Sequence, residues 1–159
     1  MAKKKILWFT ADFFIDVDRQ LVPYFRKNSE FEIRWVVVQT FTGAKIPEHE
    51  DYEIWNLHHR AKDPRTFFEL KKYFKKAGLA QYDLVYSDAL GFYYYPALLH
   101  CIGKTPLIHA AHNVNPYPVW PWDLKLQVKY IFQKGKNFQM FSKHTARWFK
   151  EHYPKKSFF

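Results

Sequence analysis

Two histidines stand close together in the segment IHAAHN, at residues 108–113. His112 and Asn113 follow an apolar run that predicts a strand, and ligands of parallel sheets bind beyond the ends of such strands. A neutral imidazole beside an amide suits hydrogen bonding to a polyhydroxylated substrate, and capping of the local turn is the alternative. His109 lies three residues earlier, so the two rings point to opposite faces of a strand and a shared metal ion is disfavoured. We predict that His109 is a core residue whose hydrogen bonds are satisfied.

Three carboxylates also follow predicted strands. Asp12 and Asp16 lie in the turn TADFFID, which contains no glycine. A dinucleotide-binding turn needs glycines so that the backbone can approach the pyrophosphate, and an NAD-type enzyme is therefore disfavoured. We predict that Asp16 caps a helix, with a contact to a sugar hydroxyl as the alternative, and that Asp12 orients a hydroxylated acceptor. Asp88 is predicted to cap another helix, with a role in the crevice as the alternative, and Asp12, Asp88 and Asn113 are our candidate substrate-binding residues.

Strands alternate with helices along the chain, and this order must position the polar residues. Short apolar runs predict strands at 5–10, 31–39, 52–58, 82–87, 106–111, 137–141 and 157–159. Helical periodicity and capping residues predict helices at 16–27, 64–77, 90–101, 122–134 and 143–153. Right-handed crossovers place each helix on one side of a parallel sheet, so we expect an α/β fold. Residues 1–159 are predicted to form one Rossmann-like three-layer domain with a mostly parallel, twisted sheet.

The charge balance is strongly basic, with 25 Lys and Arg against 15 Asp and Glu and a formal net charge of +10. Such an excess can serve nucleic acid, an anionic membrane surface or phosphorylated substrates. The single cysteine excludes an intramolecular disulfide framework and favours a reducing compartment. No apolar run reaches the roughly 20 residues that span a bilayer. We therefore predict a cytoplasmic protein.

Aromatic residues make up 21% of the chain, more than a single core of this size buries easily, and many of them accompany lysines. Tryptophan and tyrosine beside lysine suit a membrane headgroup interface and equally suit stacking on single-stranded nucleic acid. A solvated helix face, in which lysine stems cover apolar neighbours, is the simplest alternative. The residues that we assign to a membrane or acceptor surface are Lys71, Lys72, Lys75, Trp120, Trp122, Lys125 and Lys129.

The order of these motifs resembles the N-terminal, acceptor-binding domain of glycosyltransferase family 4, whose members have the two-domain GT-B fold. The chain carries KKIL on its first strand, YDLVYSD at residues 82–88, and IHAAHN at the end of its fifth strand. Phe141, Ser142 and Lys143 lead into a last helix that is similar to the final helix of the family's N-terminal domain. The resemblance covers the whole chain as a spaced pattern of loose motifs.

The resemblance implies a retaining glycosyltransferase that moves a sugar from a nucleotide-sugar donor to a glycan or lipid-linked acceptor in surface polysaccharide synthesis. No metal and no other cofactor is expected, because family members usually work without a metal. His112 would be the catalytic histidine that hydrogen-bonds the donor sugar as the leaving phosphate departs. Ser142 and Lys143 would line the same cleft. Docking of the basic surface on the inner face of the cell membrane would bring the enzyme to a lipid-linked acceptor.

Two departures from the family pattern qualify this prediction. The first loop lacks the glycines that many members carry, and the chain stops at Phe159, where the next strand should lead toward a linker. A donor-binding C-terminal domain is therefore expected as a partner outside this chain, and the chain alone is expected to be inactive. Two alternatives stay open. One is a non-enzymatic basic module that binds single-stranded nucleic acid, although nucleic acid is less favoured as a partner than a nucleotide sugar, an acceptor or a membrane surface. The other is half of a GT-B nucleotide-sugar epimerase.

Overall fold

The computed structural model describes residues 3–28, 30–41, 45–112 and 120–158. Within them the chain forms seven strands, five α-helices and two short 3₁₀ turns. The strands are β1 (Lys4–Ala11), β2 (Phe31–Gln39), β3 (Glu53–Asn56), β4 (Leu84–Asp88), β5 (Leu107–Ala111), β6 (Asn137–Met140) and β7 (Ser157–Phe158). The helices are α1 (Ile15–Arg26), α2 (Pro64–Ala77), α3 (Tyr94–Cys101), α4 (Trp122–Lys134) and α5 (Lys143–His152), and the 3₁₀ turns are Asp12–Phe14 and Leu79–Gln81.

The described strands make one sheet in the order β3-β2-β1-β4-β5-β6-β7, and each pairing between them is parallel. The middle strand β1 is almost continuously apolar, as expected of a strand that is covered on both faces. The direction in which strands are added reverses between β1 and β4. Such a switch point opens a crevice at the carboxyl ends of the two strands. The predicted Rossmann-like α/β fold is confirmed.

Alternate residues of β1 enter two different cores. Leu7 and Phe9 pack with α2 and α3, whereas Trp8 packs with α1 on the opposite face of the sheet. A third cluster joins α4 and α5 to the end of β5 and to β6. Helices therefore cover both faces of the sheet, and Ala11, Ala89 and Ala111, at the ends of β1, β4 and β5, belong to the buried clusters.

Helix α2 has the boundaries that its capping residues predict. Asp63 accepts a hydrogen bond from the backbone N–H of Arg65 (2.9 Å), and Pro64 occupies the first helical position. Gly78 ends the helix in the left-handed region, with φ 64°, where a side chain would add strain. The predicted helix 122–134 is also confirmed, and the predicted cap Ser142 starts α5 through a capping box with Thr145.

Both predicted carboxylate caps beside the crevice are wrong. Helix α3 starts at Tyr94 and not at residue 90, because residues 89–93 remain outside the helix and Asp88 is still part of β4. Asp88 is thus too far from α3 to cap it. Helix α1 starts at Ile15, so Asp16 lies inside its first turn, exposed and 3.6 Å from Arg19. A side chain at that position is already part of the helix that it was expected to precede.

Candidate functional site

His112 lies immediately beyond β5 and is held from three sides. Its Nε2 atom is 2.9 Å from both carboxylate oxygens of Asp88, the last residue of β4. Its ring is sandwiched between Phe14 and Phe141, at centroid distances of 4.5 and 4.4 Å and interplanar angles of 17° and 7°. These contacts fix both the position and the rotation of the imidazole. With Asp88 ionised, Nε2 must be the donor in this contact, and His112 can then engage a ligand only through Nδ1.

Asp88 is almost completely buried, with 1% of its surface exposed, beneath His112. Burial raises the pKa of Asp88 above its usual value, and the hydrogen bond and charge of His112 oppose this shift. A carboxylate that is buried with a histidine as its partner selects the tautomer of that histidine. Of its two predicted roles, Asp88 has the one in the crevice, as an anchor for His112.

A second buried carboxylate, Asp18, extends this polar cluster beneath the sheet end. It lies on α1 and accepts a hydrogen bond from the hydroxyl of Thr10, which in turn accepts one from Trp35 Nε1 at 3.1 Å. Thr10 is the register partner of Asp88, so both carboxylates approach the same pair of strands. Burial, with the negative charge of Asp88, raises the pKa of Asp18 to about 7.

Asp18 is not among the residues predicted from the sequence, although a signal for it exists. Ile15, Asp18 and Val22 follow one another at helical spacing, and all three are buried on the side of α1 that packs on the sheet. A carboxylate in an apolar stripe must have a hydrogen-bonding partner in the fold. Phe14 and Phe141, which stack on His112, carried no such signal. They follow β1 and β6, and only the folded sheet brings them to His112 at the end of β5.

Asp12 is engaged at the neighbouring strand end. Its Oδ2 accepts hydrogen bonds from the backbone N–H and the hydroxyl of Thr40, at 2.9 and 2.6 Å. These bonds fasten the turn after β1 to the end of β2. Asp12 also lines an open cavity of about 420 Å³ together with Arg19 and Lys45. The predicted contact of Asp12 with a hydroxylated acceptor stays a prediction.

The remaining predicted cleft residues reach the same edge of the sheet. Ser142 follows Phe141 and uses its hydroxyl to accept a hydrogen bond from the backbone N–H of Thr145, at 3.1 Å. Lys143 is exposed in the first turn of α5. Asn113 lies outside the described residues. Ser142 and Lys143 follow Phe141, whose ring stacks on His112, and the structure shows Ser142 acting as a helix cap. Their predicted place in a substrate cleft stays a prediction.

His109, the other histidine of the motif, lies on the opposite face of β5 and is buried between Tyr95 and Phe138. Its placement in the core is confirmed. The prediction that its hydrogen bonds are satisfied is wrong, because within the described part of the chain its Nδ1 has no hydrogen-bond partner. Burial lowers the pKa of His109 to about 3, so the ring is neutral.

The predicted membrane or acceptor residues fall into separate places. Lys129 lines an aromatic groove beside α4, whereas Lys71 and Lys75 line a second cavity near Cys101. Trp120 packs against the α4 core and lines a small cavity with His112. The others are Lys72 and Trp122, both exposed, and Lys125, which is half-buried.

Across residues 3–28, 30–41, 45–112 and 120–158, no three His, Cys, Asp or Glu side chains are grouped so that they could hold a metal ion. In the same ranges no helix is long and apolar enough to cross a membrane.

Comparison with known proteins gives structural likeness only. No protein-family model matches the chain, and no curated protein matches it. A UDP-N-acetylglucosamine 2-epimerase from Rickettsia bellii has a TM-score of 0.62 and 15% identity, over 99% of this chain and 44% of that structure. A Listeria monocytogenes protein provisionally described as a UDP-N-acetylglucosamine 2-epimerase has a TM-score of 0.66 and 14% identity, over 100% of this chain and 45% of that structure.

At these identities the likeness shows a shared fold, and the chain spans less than half the length of each structure. The resemblance to glycosyltransferase family 4 therefore remains a prediction.

Proposed function

We propose that this chain is the acceptor-side half of a retaining glycosyltransferase that uses a nucleotide-sugar donor. The observation that carries the proposal is His112, fixed by Asp88 between two phenyl rings at the carboxyl ends of the parallel strands. Ligands of this fold class bind at that edge. A rigid imidazole with one nitrogen already bound is suited to orient a sugar hydroxyl.

In this proposal a second domain holds the nucleotide, and His112 faces the sugar across the cleft. The bond between the anomeric carbon and the phosphate oxygen breaks, the acceptor oxygen bonds to that carbon, and its proton passes to the leaving phosphate. His112 takes no proton in this step. Its Nδ1 accepts a hydrogen bond from a sugar hydroxyl while positive charge develops on the sugar ring. Asp88 keeps the proton of the imidazole on Nε2.

A GT-B nucleotide-sugar epimerase is the second candidate, and the names of the two similar structures favour it. Such an enzyme isomerises the nucleotide sugar and needs no acceptor. A group that orients the sugar is useful to both reactions, so the geometry of His112 supports either candidate.

The two candidates are separated by supplying nucleotide sugars to the complete protein with and without hydroxylated acceptors. A transferase releases nucleoside diphosphate and glycosylates the acceptor, and both products require the acceptor. An epimerase gives an isomeric nucleotide sugar in the absence of any acceptor. Formation of neither product across a panel of donors would contradict both proposals.

The Asp88→Asn substitution tests whether Asp88 positions His112. An amide can present its N–H to Nε2 and thereby favour the other tautomer, so we expect turnover of the complete enzyme to fall about tenfold, roughly 1.4 kcal/mol in activation free energy. In ¹⁵N NMR spectra of the chain, the His112 signals should change from the Nε2-protonated tautomer to a mixture. Glu32→Gln, an exposed change near the amino end of β2, should alter neither. An unchanged His112 tautomer in the Asp88→Asn variant would contradict the positioning role.

A further inference from the structure

An aromatic groove of about 660 Å³ lies between α2, α3 and α4. The groove is lined chiefly by apolar and aromatic side chains, among them Phe67, Phe92, Tyr93, Pro96, Leu126 and Tyr130. Its size is within the roughly 300–1,000 Å³ that is typical of ligand sites. Neither candidate reaction assigns it a role.

Exposed apolar side chains continue from the groove onto the protein surface. Trp122 is 72% exposed, Phe68 59% and Leu126 49%. Leu126 itself lines the groove, and the ring of Phe68 meets that of the groove residue Phe67 at a centroid distance of 5.4 Å. Exposed apolar residues that adjoin one another in this way mark an interaction site more often than scattered ones do.

Helices α2 and α4 present these side chains together. Lys62, just before α2, pairs with Asp123 in the first turn of α4 at 2.7 Å. The beginnings of the two helices are therefore adjacent, on either side of the groove. Trp122, Leu126 and Lys129 are spaced four and three residues apart, so they share one side of α4. Phe68 and Lys72 are four residues apart and share one side of α2 in the same way.

The charge around the groove is positive. Helix α2 carries five basic residues and one acidic residue, Glu69. Glu69 is already engaged by His58 and His59, at 3.2 and 3.0 Å. Lys72 and Lys129 are exposed beside the apolar side chains. Apolar and aromatic residues that alternate with lysines match the interface between lipid chains and anionic headgroups.

We propose that Phe68, Lys72, Trp122, Leu126, Lys129 and the groove form a docking face for an anionic bilayer, and that one lipid chain enters the groove. Lysines would meet the phosphates while Trp122, Phe68 and Leu126 enter the acyl boundary. Single-stranded nucleic acid would use the lysines and the aromatic rings, but it offers no partner to the aliphatic lining at Pro96 and Leu126. The proposal is independent of the reaction that the enzyme catalyses.

Binding to vesicles tests the docking face directly with the 159-residue chain. We expect the chain to float with phosphatidylcholine vesicles that contain phosphatidylglycerol, to release as salt is raised, and to stay unbound with phosphatidylcholine alone. The Lys72→Glu/Lys129→Glu variant should bind at least roughly 25-fold more weakly, since each lysine near an anionic surface contributes about 1 kcal/mol, a factor of about five. Lys27→Glu/Lys155→Glu makes the same charge change at exposed sites outside the docking face and should bind much more tightly than this variant.

Insertion of the apolar residues is tested by Trp122→Ala/Leu126→Ala, which should weaken vesicle binding roughly tenfold because of the apolar area that no longer enters the bilayer. Tyr24→Ala is the matched control, since Tyr24 is as exposed as Trp122, at 72%, but lies on α1. Lipids brominated on their chains should quench tryptophan fluorescence in the unaltered chain and less in Trp122→Phe. Circular dichroism and thermal melts verify that each variant is folded.

Equal binding to neutral and anionic vesicles, equal losses in the control variants, or no quenching that depends on Trp122 would each overturn the proposal. Tight binding of a single-stranded oligonucleotide without vesicle binding would also overturn it, and would assign the basic surface to nucleic acid. Vesicle binding and fluorescence quenching need no catalysis. They therefore test the docking face even if neither glycosyl transfer nor epimerisation is detected.

Discussion

Replacing His112 with alanine is expected to lower the turnover of the complete enzyme by roughly 10² to 10³-fold, the effect of losing one preorganised hydrogen-bonding group. The substitution removes the only side chain that projects from the end of β5 between Phe14 and Phe141 in the described part of the structure. Asp88 has no substrate contact of its own to compensate, since it is buried beneath the imidazole.

His112→Ala also leaves the buried carboxylate of Asp88 without its partner, which costs stability. A second variant, His112→Gln, keeps an N–H that can donate to Asp88 and separates the loss of the imidazole from loss of folding. His144→Ala, an exposed change in the first turn of α5, is the control. Steady-state assays with nucleotide sugar should show low turnover for both His112 variants and normal turnover for the control. Normal turnover of a folded His112→Ala enzyme would disprove the assigned role.

The second large effect concerns the dependence of stability on pH. The carboxyl of Asp18 has a pKa of about 7 in the folded chain, against an ordinary value of 3.8, because it is buried near Asp88. The folded state thus holds this proton more tightly than the unfolded state. The stability that the protonated group contributes is complete below pH 3.8 and is lost as the pH rises to 7 and above.

Asp18→Asn removes this ionisation but keeps an oxygen that can accept from Thr10. Between about pH 4 and about pH 8, the unfolding free energy of the variant should rise relative to that of the unaltered chain by about 4 kcal/mol, at 1.36 kcal/mol per pKa unit. Urea denaturation at a series of pH values measures the difference. Asp16→Asn, the same chemical change at an exposed position of the same helix, is the control. A constant difference between Asp18→Asn and the unaltered chain would show that Asp18 titrates normally.

His112 and Asp18, the residues changed in these two predictions, belong to neighbouring groups with different roles. In the proposed function His112 meets the ligand, while Asp88 holds its ring through Nε2. Asp18 is joined to the same strand ends through Thr10, the register partner of Asp88. Burial and the charge of Asp88 both oppose ionisation of Asp18. A state with one ionised carboxylate in this cluster is therefore favoured over a state with two.

Local pattern was sufficient for most of the fold. Apolar runs predicted β1 and β2 because strands buried on both faces must be apolar throughout, and Asp63, Pro64 and Gly78 predicted the limits of α2 because they satisfy or end the helix backbone. The start of α3 was missed, since the apolar residues before Tyr94 have helical periodicity but lie in a loop. Periodicity alone does not distinguish a helix from an apolar loop that packs beneath a sheet end.

The amino-acid sequence by itself determined the alternation of strands and helices, the basic charge and the presence of His112 at a strand end. Only the tertiary structure decided what surrounds His112. Asp88 is 24 residues away and Phe14 is farther, and they meet His112 because the parallel order places β4 beside β5 and the turn after β1 beside both. The aromatic groove likewise combines three helices. Contacts of this kind depend on strand order and helix packing. They join residues that are far apart in the sequence, so the local spacing of residue types does not predict them.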